Sequence, residues 1–150
     1  MEYDVEWVNE LNTIVRTNIS IIQSMKYRNN AIVIFDIDNT LLDSNGFRIN
    51  QVITLFDFIK LMNIPIAIIT TRIGTPENIK KTQTQLYNNC ILDYKYIYFL
   101  KPLDYNIIEF KNNSNQDIIN KGYTIIMTIG DLYMENVSIN IKIPSLIIKN

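Results

Sequence analysis

Residues 31–44, AIVIFDIDNTLLDS, begin as a short apolar run and continue into two acidic positions. The run 31–35 is rich in β-branched side chains, which predicts a strand buried on both faces of a parallel sheet. Asp36 and Asp38 follow two residues apart, so in extended geometry both side chains point the same way. Burying two carboxylates together costs free energy unless a metal ion or a shared proton compensates them. The stretch therefore predicts a chemical site at the carboxyl end of a central strand.

Helix and strand patterns alternate through the rest of the chain. Apolar residues at helical spacing predict helices at residues 4–26 (with a candidate break at 17–18), 50–62, 76–87 and 114–121. Short apolar runs predict further strands at residues 64–69, 96–100, 123–129 and 145–148. Gly122 is a candidate left-handed cap for the fourth helix. This order predicts one α/β domain over residues 1–150, a three-layer open parallel sheet with the N-terminal helical segment 1–30 packed on its core.

Composition narrows the classes of function. The chain has 47% hydrophobic and 19% charged residues with a net charge of −1, which is typical of a globular protein without a strongly basic or acidic surface. The absence of histidine excludes His-based general bases, Ser-His triads and His-ligated zinc. One cysteine, Cys90, excludes an internal disulfide. The N-terminus is unlike a secretory signal and no apolar run approaches the ~18 residues of a membrane span, so we expect a cytoplasmic location and no membrane partner.

Polar residues gather where the predicted strands end. Asp36 and Asp38 follow the first strand, Thr70 follows the second and Asp131 follows the fourth. Because ligands of open parallel sheets bind outside the carboxyl ends of the strands, these side chains are expected to share one edge.

The motifs at these strand ends resemble those of the haloacid dehalogenase superfamily of phosphohydrolases. The pattern D-x-D-x-T at residues 36–40 resembles the first motif of that family, and Thr70 matches the second. Gly130-Asp131, with a second acid at Glu135, resembles the fourth. The resemblance covers about residues 31–148 and is greatest to the class B and class C acid phosphatases and 5′-nucleotidases.

The resemblance implies a division of roles among the acidic residues. Asp36 would be the nucleophile that forms an aspartyl-phosphate, and Asp38 would act as the general acid and base. Mg²⁺ would be held by Asp36, Asp131 and the main-chain carbonyl of Asp38. Glu135 stands where close relatives more often carry Asp, and its longer side chain would contact the metal or its water.

The resemblance also implies a phosphate-binding set. Thr70 would hydrogen-bond a phosphoryl oxygen, and Thr70-Thr71-Arg72 resembles the T-x-R of the acid phosphatases, in which Arg72 would hold a substrate group or a loop. The motif lysine has two candidates. Spacing to Gly122-Tyr123 and to the fourth motif favours Lys111, and Lys101 remains the alternative.

The site is expected to lack a large cap domain, because only 33 residues separate Asp36 from Thr70. Loops at residues 45–48 and 103–106 would then select the substrate, or a second copy of the chain would cover the site. A homodimer through the N-terminal helix is another expectation. The favoured activity is a phosphomonoesterase, with nucleoside monophosphates as the preferred substrates. The alternatives are a polynucleotide 3′-phosphatase that binds nucleic-acid ends and a non-catalytic protein that binds a metal or a partner.

Overall fold

The computed structural model describes residues 2–130, 140–144 and 148–149 of the chain. The strands are β1 (Glu2–Tyr3), β2 (Ala31–Phe35), β3 (Ile66–Ile73), β4 (Tyr96–Leu100), β5 (Thr124–Gly130), β6 (Asn140–Lys142) and β7 (Ile148–Lys149). The helices are α1 (Val5–Ser24), α2 (Asn50–Leu61), α3 (Pro76–Asn88) and α4 (Ile107–Asn120). The predicted α/β class, with an N-terminal helix, is confirmed.

The main sheet is parallel and has five strands in the order β4-β3-β2-β5-β6. The chain moves outward from β2 through β3 to β4, and α4 then carries it back to β5 on the other side of β2. The order in which the chain adds strands therefore reverses between β2 and β5, and ligands bind at this switch point in doubly wound sheets. The two strands remain paired up to this edge, since the Asp36 N–H donates to the Ile129 carbonyl at 3.0 Å. Outside this sheet, β1 and β7 form an antiparallel pair.

Alternate side chains of β2 enter two apolar cores, one on each face of the sheet. Val33 and Phe35 pack with α1, α2 and the end of α3, whereas Ile32 and Ile34 pack with α4. All five residues of the strand are buried. Burial on both faces explains why β2 has a continuous apolar sequence, and it makes the strand a rigid support for Asp36.

Two predicted helices differ in extent. The candidate break at residues 17–18 is wrong: α1 is continuous, and the buried Asn18 amide donates to the Ile14 carbonyl at 2.7 Å. The fourth helix begins at Ile107 instead of residue 114, because Asn106 caps it by accepting from the Glu109 N–H at 3.0 Å. Lys111 consequently lies on a helix. Gly122 adopts a φ of 98° just after this helix, in the left-handed region expected of a cap.

Two strands also differ from the prediction. β3 continues past Thr70 to Ile73, because it remains paired with β4. The fifth strand of the sheet is β6, a segment that the sequence pattern did not identify. Of the predicted strand 145–148, residues 145–147 lie outside the described residues, and Ile148 belongs to the pair with β1. Among the described helices, none is long and apolar enough to cross a membrane.

Candidate active site

Asp36 is held in a buried ion pair at the end of β2. Its Oδ2 atom accepts a hydrogen bond from the Lys111 Nζ at 2.9 Å, and its Oδ1 atom accepts from the Ile37 N–H at 2.8 Å. The exposed fractions of the Asp36 and Lys111 side chains are 10% and 6%. Because both charges are shielded from water, the pairing matters more than it would at the surface.

Helix α4 delivers this lysine across the switch point. Its other buried residues, such as Phe110 and Ile118, pack on the sheet and fix the helix against β2 and β5. Lys111 lies in the second turn, near the end of the helix that meets the carboxyl edge of the sheet. Lys101 is exposed just after β4. Of the two candidate lysines, Lys111 is therefore the one that contacts Asp36.

Asp38 is bound on both of its carboxylate oxygen atoms by Arg72. The Arg72 Nε donates to Oδ2 at 3.0 Å and Nη2 donates to Oδ1 at 2.7 Å. The remaining guanidinium nitrogen, Nη1, donates to Gln85 Oε1 at 2.7 Å and to Thr82 Oγ1 at 3.2 Å. A bidentate pair fixes the orientation of the carboxylate as well as its charge. Arg72 thus positions Asp38, a contact that the sequence did not predict.

A β-bulge directs Arg72 towards Asp38. Thr70 pairs with Phe99 of β4 and Ile73 pairs with Leu100, so Thr71 and Arg72 form the extra segment between them. Bulges commonly re-aim side chains next to active sites. Thr70 itself is fully buried, and its hydroxyl accepts from the Arg72 N–H at 3.1 Å. A hydroxyl that accepts this bond can still donate its own proton.

The turn after the two aspartates is tight. The Ile37 carbonyl accepts from the N–H groups of residues 40, 41 and 42 at 2.9 to 3.2 Å, and Asn39 adopts a φ of 59°. Asparagine tolerates this left-handed conformation better than most residues. Thr40 is fully buried below the turn, and its hydroxyl has no hydrogen-bond partner within the described part of the chain. The turn keeps Asp38 beside Asp36 at the edge of the sheet.

Asp43 organises the loop that follows the motif, a role that the sequence did not predict. Its Oδ1 accepts from the N–H groups of Asn45 and Phe47, both at 2.9 Å, and its Oδ2 accepts from the Tyr3 hydroxyl at 2.6 Å. Burial, followed by the hydrogen bond and the charge of Asp43, raises the pKa of Tyr3 to about 12. The phenol therefore remains a donor to the carboxylate across the neutral range.

Replacing Tyr3 with Phe is expected to lower the free energy of unfolding by about 1–2 kcal/mol, because the buried Asp43 carboxylate loses a charged hydrogen bond. Since the pKa of Tyr3 is raised in the folded state, this contribution is present below pH ~10 and is lost as the pH rises through about 12. Urea unfolding at neutral pH measures the change. Tyr87→Phe, at an exposed position of α3, is the matched control. Equal unfolding free energies for the two variants would contradict the role of the Tyr3–Asp43 bond.

The same loop is attached to α3 on its other side. The Arg48 guanidinium donates to the Asn89 carbonyl at 2.9 Å, and the Asn89 amide donates to the Gly46 carbonyl at 3.4 Å. Gly46 has a φ of 81°, and a Cβ atom there would lie 2.5 Å from the Gln85 amide nitrogen. A residue with a Cβ atom would be strained by this φ, and the end of the Gln85 side chain would have to move. Helix α3 and its C-cap residue Asn89 therefore hold both the loop and the Asp38–Arg72 pair.

The expected metal ligands are only partly within the described residues. Asp131 and Glu135 lie outside them, and within the described ranges no cluster of three or more Asp, Glu, His or Cys side chains could hold a metal ion. Asp36 presents carboxylate oxygen atoms, which are the donors that Mg²⁺ prefers. The Asp38 carboxylate is bound to Arg72, which leaves its main chain for the role that the family resemblance implies. The donor chemistry of the described residues is compatible with Mg²⁺.

Comparison with known proteins adds no relative. No protein-family model matches the chain, and no curated protein is significantly similar to it.

Proposed function

We propose that the protein is a Mg²⁺-dependent phosphomonoesterase of the haloacid dehalogenase type, acting through an aspartyl-phosphate on Asp36. The buried Asp36–Lys111 pair at the sheet's switch point carries this proposal. A nucleophilic carboxylate needs cationic groups beside it, because it must approach an anionic phosphoryl group. Thr70 and Asp38 supply a hydroxyl donor and a second carboxylate close to it in the fold.

In the first step, an Asp36 oxygen forms a bond to phosphorus while the bond to the leaving oxygen breaks. The electron pair of that broken bond stays on the leaving oxygen, and Asp38 supplies the proton that neutralises it. The Lys111 ammonium and the Thr70 hydroxyl stabilise the charge on the phosphoryl oxygens. The products are the free alcohol and the aspartyl-phosphate.

In the second step, water attacks phosphorus and gives a proton to Asp38. The bond between phosphorus and the Asp36 oxygen breaks, which returns Asp36 to the carboxylate and releases inorganic phosphate. Asp38 is protonated again and is ready to act as the acid in the next turnover. Arg72 orients Asp38, and one Asp38 oxygen must leave the guanidinium before it can carry the proton.

Asp36, the Asp38 carbonyl and Asp131 would hold the metal, and Glu135 would support it. Bound there, Mg²⁺ supplies positive charge that offsets the repulsion between the carboxylates and the phosphate.

Removal of divalent metal is expected to abolish turnover of p-nitrophenyl phosphate. Excess EDTA should lower the rate by at least about 100-fold, because several kcal/mol of charge stabilisation are lost, and Mg²⁺ in excess of the chelator should restore it. Circular dichroism in EDTA is the control for loss of fold. Full turnover in EDTA would remove Mg²⁺ from the proposal. No turnover with Mg²⁺, Mn²⁺ or Co²⁺ would favour the alternative of a non-catalytic binding protein.

A further inference from the structure

A cavity of about 450 Å³ opens between the end of β3 and helix α3. It is lined by Thr71, Arg72, Ile73, Asn78, Lys81, Thr82 and Gln85. Arg72 belongs both to this cavity and to the site, because the same guanidinium binds Asp38. The volume lies in the range of small-molecule sites. The cavity is therefore the neighbour of the residue that delivers a proton to the leaving group.

The lining of this cavity favours an anion. It contains two cationic side chains, Arg72 and Lys81, with hydroxyl and carboxamide groups and no carboxylate. Arg72 is already paired with Asp38, whereas Lys81 is exposed and forms no ion pair with the described residues. The lining has no aromatic ring, so a nucleobase would find no stacking surface there.

A second cavity near the same edge has a lining of mixed character. It measures about 310 Å³ and lies between β4 and α4, where Tyr98, Phe99 and Phe110 contribute aromatic surface. Asp104, Asp117 and Lys101 also line it, and Asp117 is paired with Lys121, so this lining has no excess of cationic groups. Of the two cavities, the one lined by Arg72 and Lys81 is therefore the better match for an anionic leaving group.

We propose that the cavity beside Arg72 binds the part of the substrate that leaves on hydrolysis, and that this part carries a second phosphate. The proposal rests on the phosphomonoesterase activity and specifies its substrate class. A nucleoside bisphosphate and the 3′-phosphorylated end of a nucleic-acid strand share this chemistry. Both are favoured over a simple nucleoside monophosphate, whose leaving group is uncharged.

Binding of the second phosphate also affects Asp38. In the structure the guanidinium of Arg72 donates hydrogen bonds to both oxygen atoms of Asp38. An anion in the cavity competes for that guanidinium and weakens its hydrogen bonds to Asp38. One Asp38 oxygen then becomes available to carry the proton that the leaving oxygen takes. Substrates with the second anion are therefore expected to have a higher kcat as well as a lower KM.

The test compares Lys81→Glu with Lys80→Glu. Both lysines are exposed on α3 and both variants change the net charge equally, but only Lys81 lines the cavity. The substrates are thymidine 3′-monophosphate, thymidine 3′,5′-bisphosphate and a 3′-phosphorylated dithymidylate. For each second-phosphate substrate, the readout is its kcat/KM relative to that of the monophosphate. We expect this ratio to fall about tenfold in Lys81→Glu and less than about twofold in Lys80→Glu.

Salt concentration provides a second readout. In the unchanged protein, the kcat/KM ratio of a second-phosphate substrate to the monophosphate should fall as the salt concentration rises. This dependence should be weaker in Lys81→Glu. A high ratio for the bisphosphate alone identifies a small-molecule substrate, and a higher ratio for the dithymidylate identifies a strand end. A ratio near one in the unchanged protein, or equal responses of the two variants, would overturn the inference and leave the phosphatase activity standing. Absence of turnover with all three substrates and with p-nitrophenyl phosphate would overturn both.

Discussion

Asp36→Asn is expected to lower kcat for p-nitrophenyl phosphate by about 10⁴-fold or more, because an amide cannot serve as the nucleophile. The substitution preserves the size of the side chain. The amide oxygen can replace only one of the two carboxylate oxygens, so the hydrogen bond from either the Ile37 N–H or the Lys111 Nζ is kept and the other is lost. Steady-state rates of the purified variant, measured with Mg²⁺ in excess, test the expectation.

The control for Asp36→Asn is the same chemical change at Asp57, an exposed position on α2. Asp57→Asn should keep its full rate. Asp36→Asn should also lose about 1–3 kcal/mol of stability, since the buried Lys111 ammonium loses its counter-charge. Folding must therefore be verified by circular dichroism at the assay temperature. A folded Asp36→Asn protein with an unchanged rate would exclude Asp36 as the nucleophile.

Lys111→Met is expected to affect both stability and rate. Removing Lys111 takes away the cationic partner of the buried Asp36 carboxylate, and such changes cost about 3–5 kcal/mol. Loss of a cationic group that stabilises the transition state should lower kcat/KM by about 10²–10³-fold. Urea unfolding and steady-state kinetics measure the two effects separately.

Two further variants distinguish the specific role of Lys111 from general loss of charge. Lys101→Met removes a lysine that is exposed near the same edge, and we expect a small change in stability and rate. The double variant Asp36→Asn with Lys111→Met should recover part of the stability lost by Lys111→Met alone, because no buried charge remains at the pair. If Lys101→Met were the more damaging change, Lys101 would replace Lys111 as the phosphate-binding lysine.

Most of the fold was predictable because it depends on local patterns. Buried strands such as β2 and β4 are short apolar runs bounded by turn residues, and their predicted limits agree with the structure to the residue. The start of α4 was missed because it depends on a cap at Asn106, in a stretch whose asparagines weaken the helical pattern. β6 was missed because it is short and its place in the sheet depends on pairing with β5.

The candidate site could be predicted where its residues lie at the ends of strands. The positions of Asp36 and Thr70 at the carboxyl edge follow from the alternation of the sequence. The contact between Arg72 and Asp38 does not, because it joins residues 34 positions apart through a bulge in β3. Asp43 resembles an ordinary turn residue in the sequence, and its burial under Tyr3 becomes apparent only when β1 is in place.

The loop that follows the motif is attached to α3. This attachment makes movement of the loop observable. The Arg48–Asn89 hydrogen bond lies one residue from Cys90, which is exposed and is the sole thiol in the chain. A fluorophore attached there would need no engineered cysteine and no removal of competing thiols. Its emission would report, in real time, whether the loop separates from the helix as substrate enters or product departs.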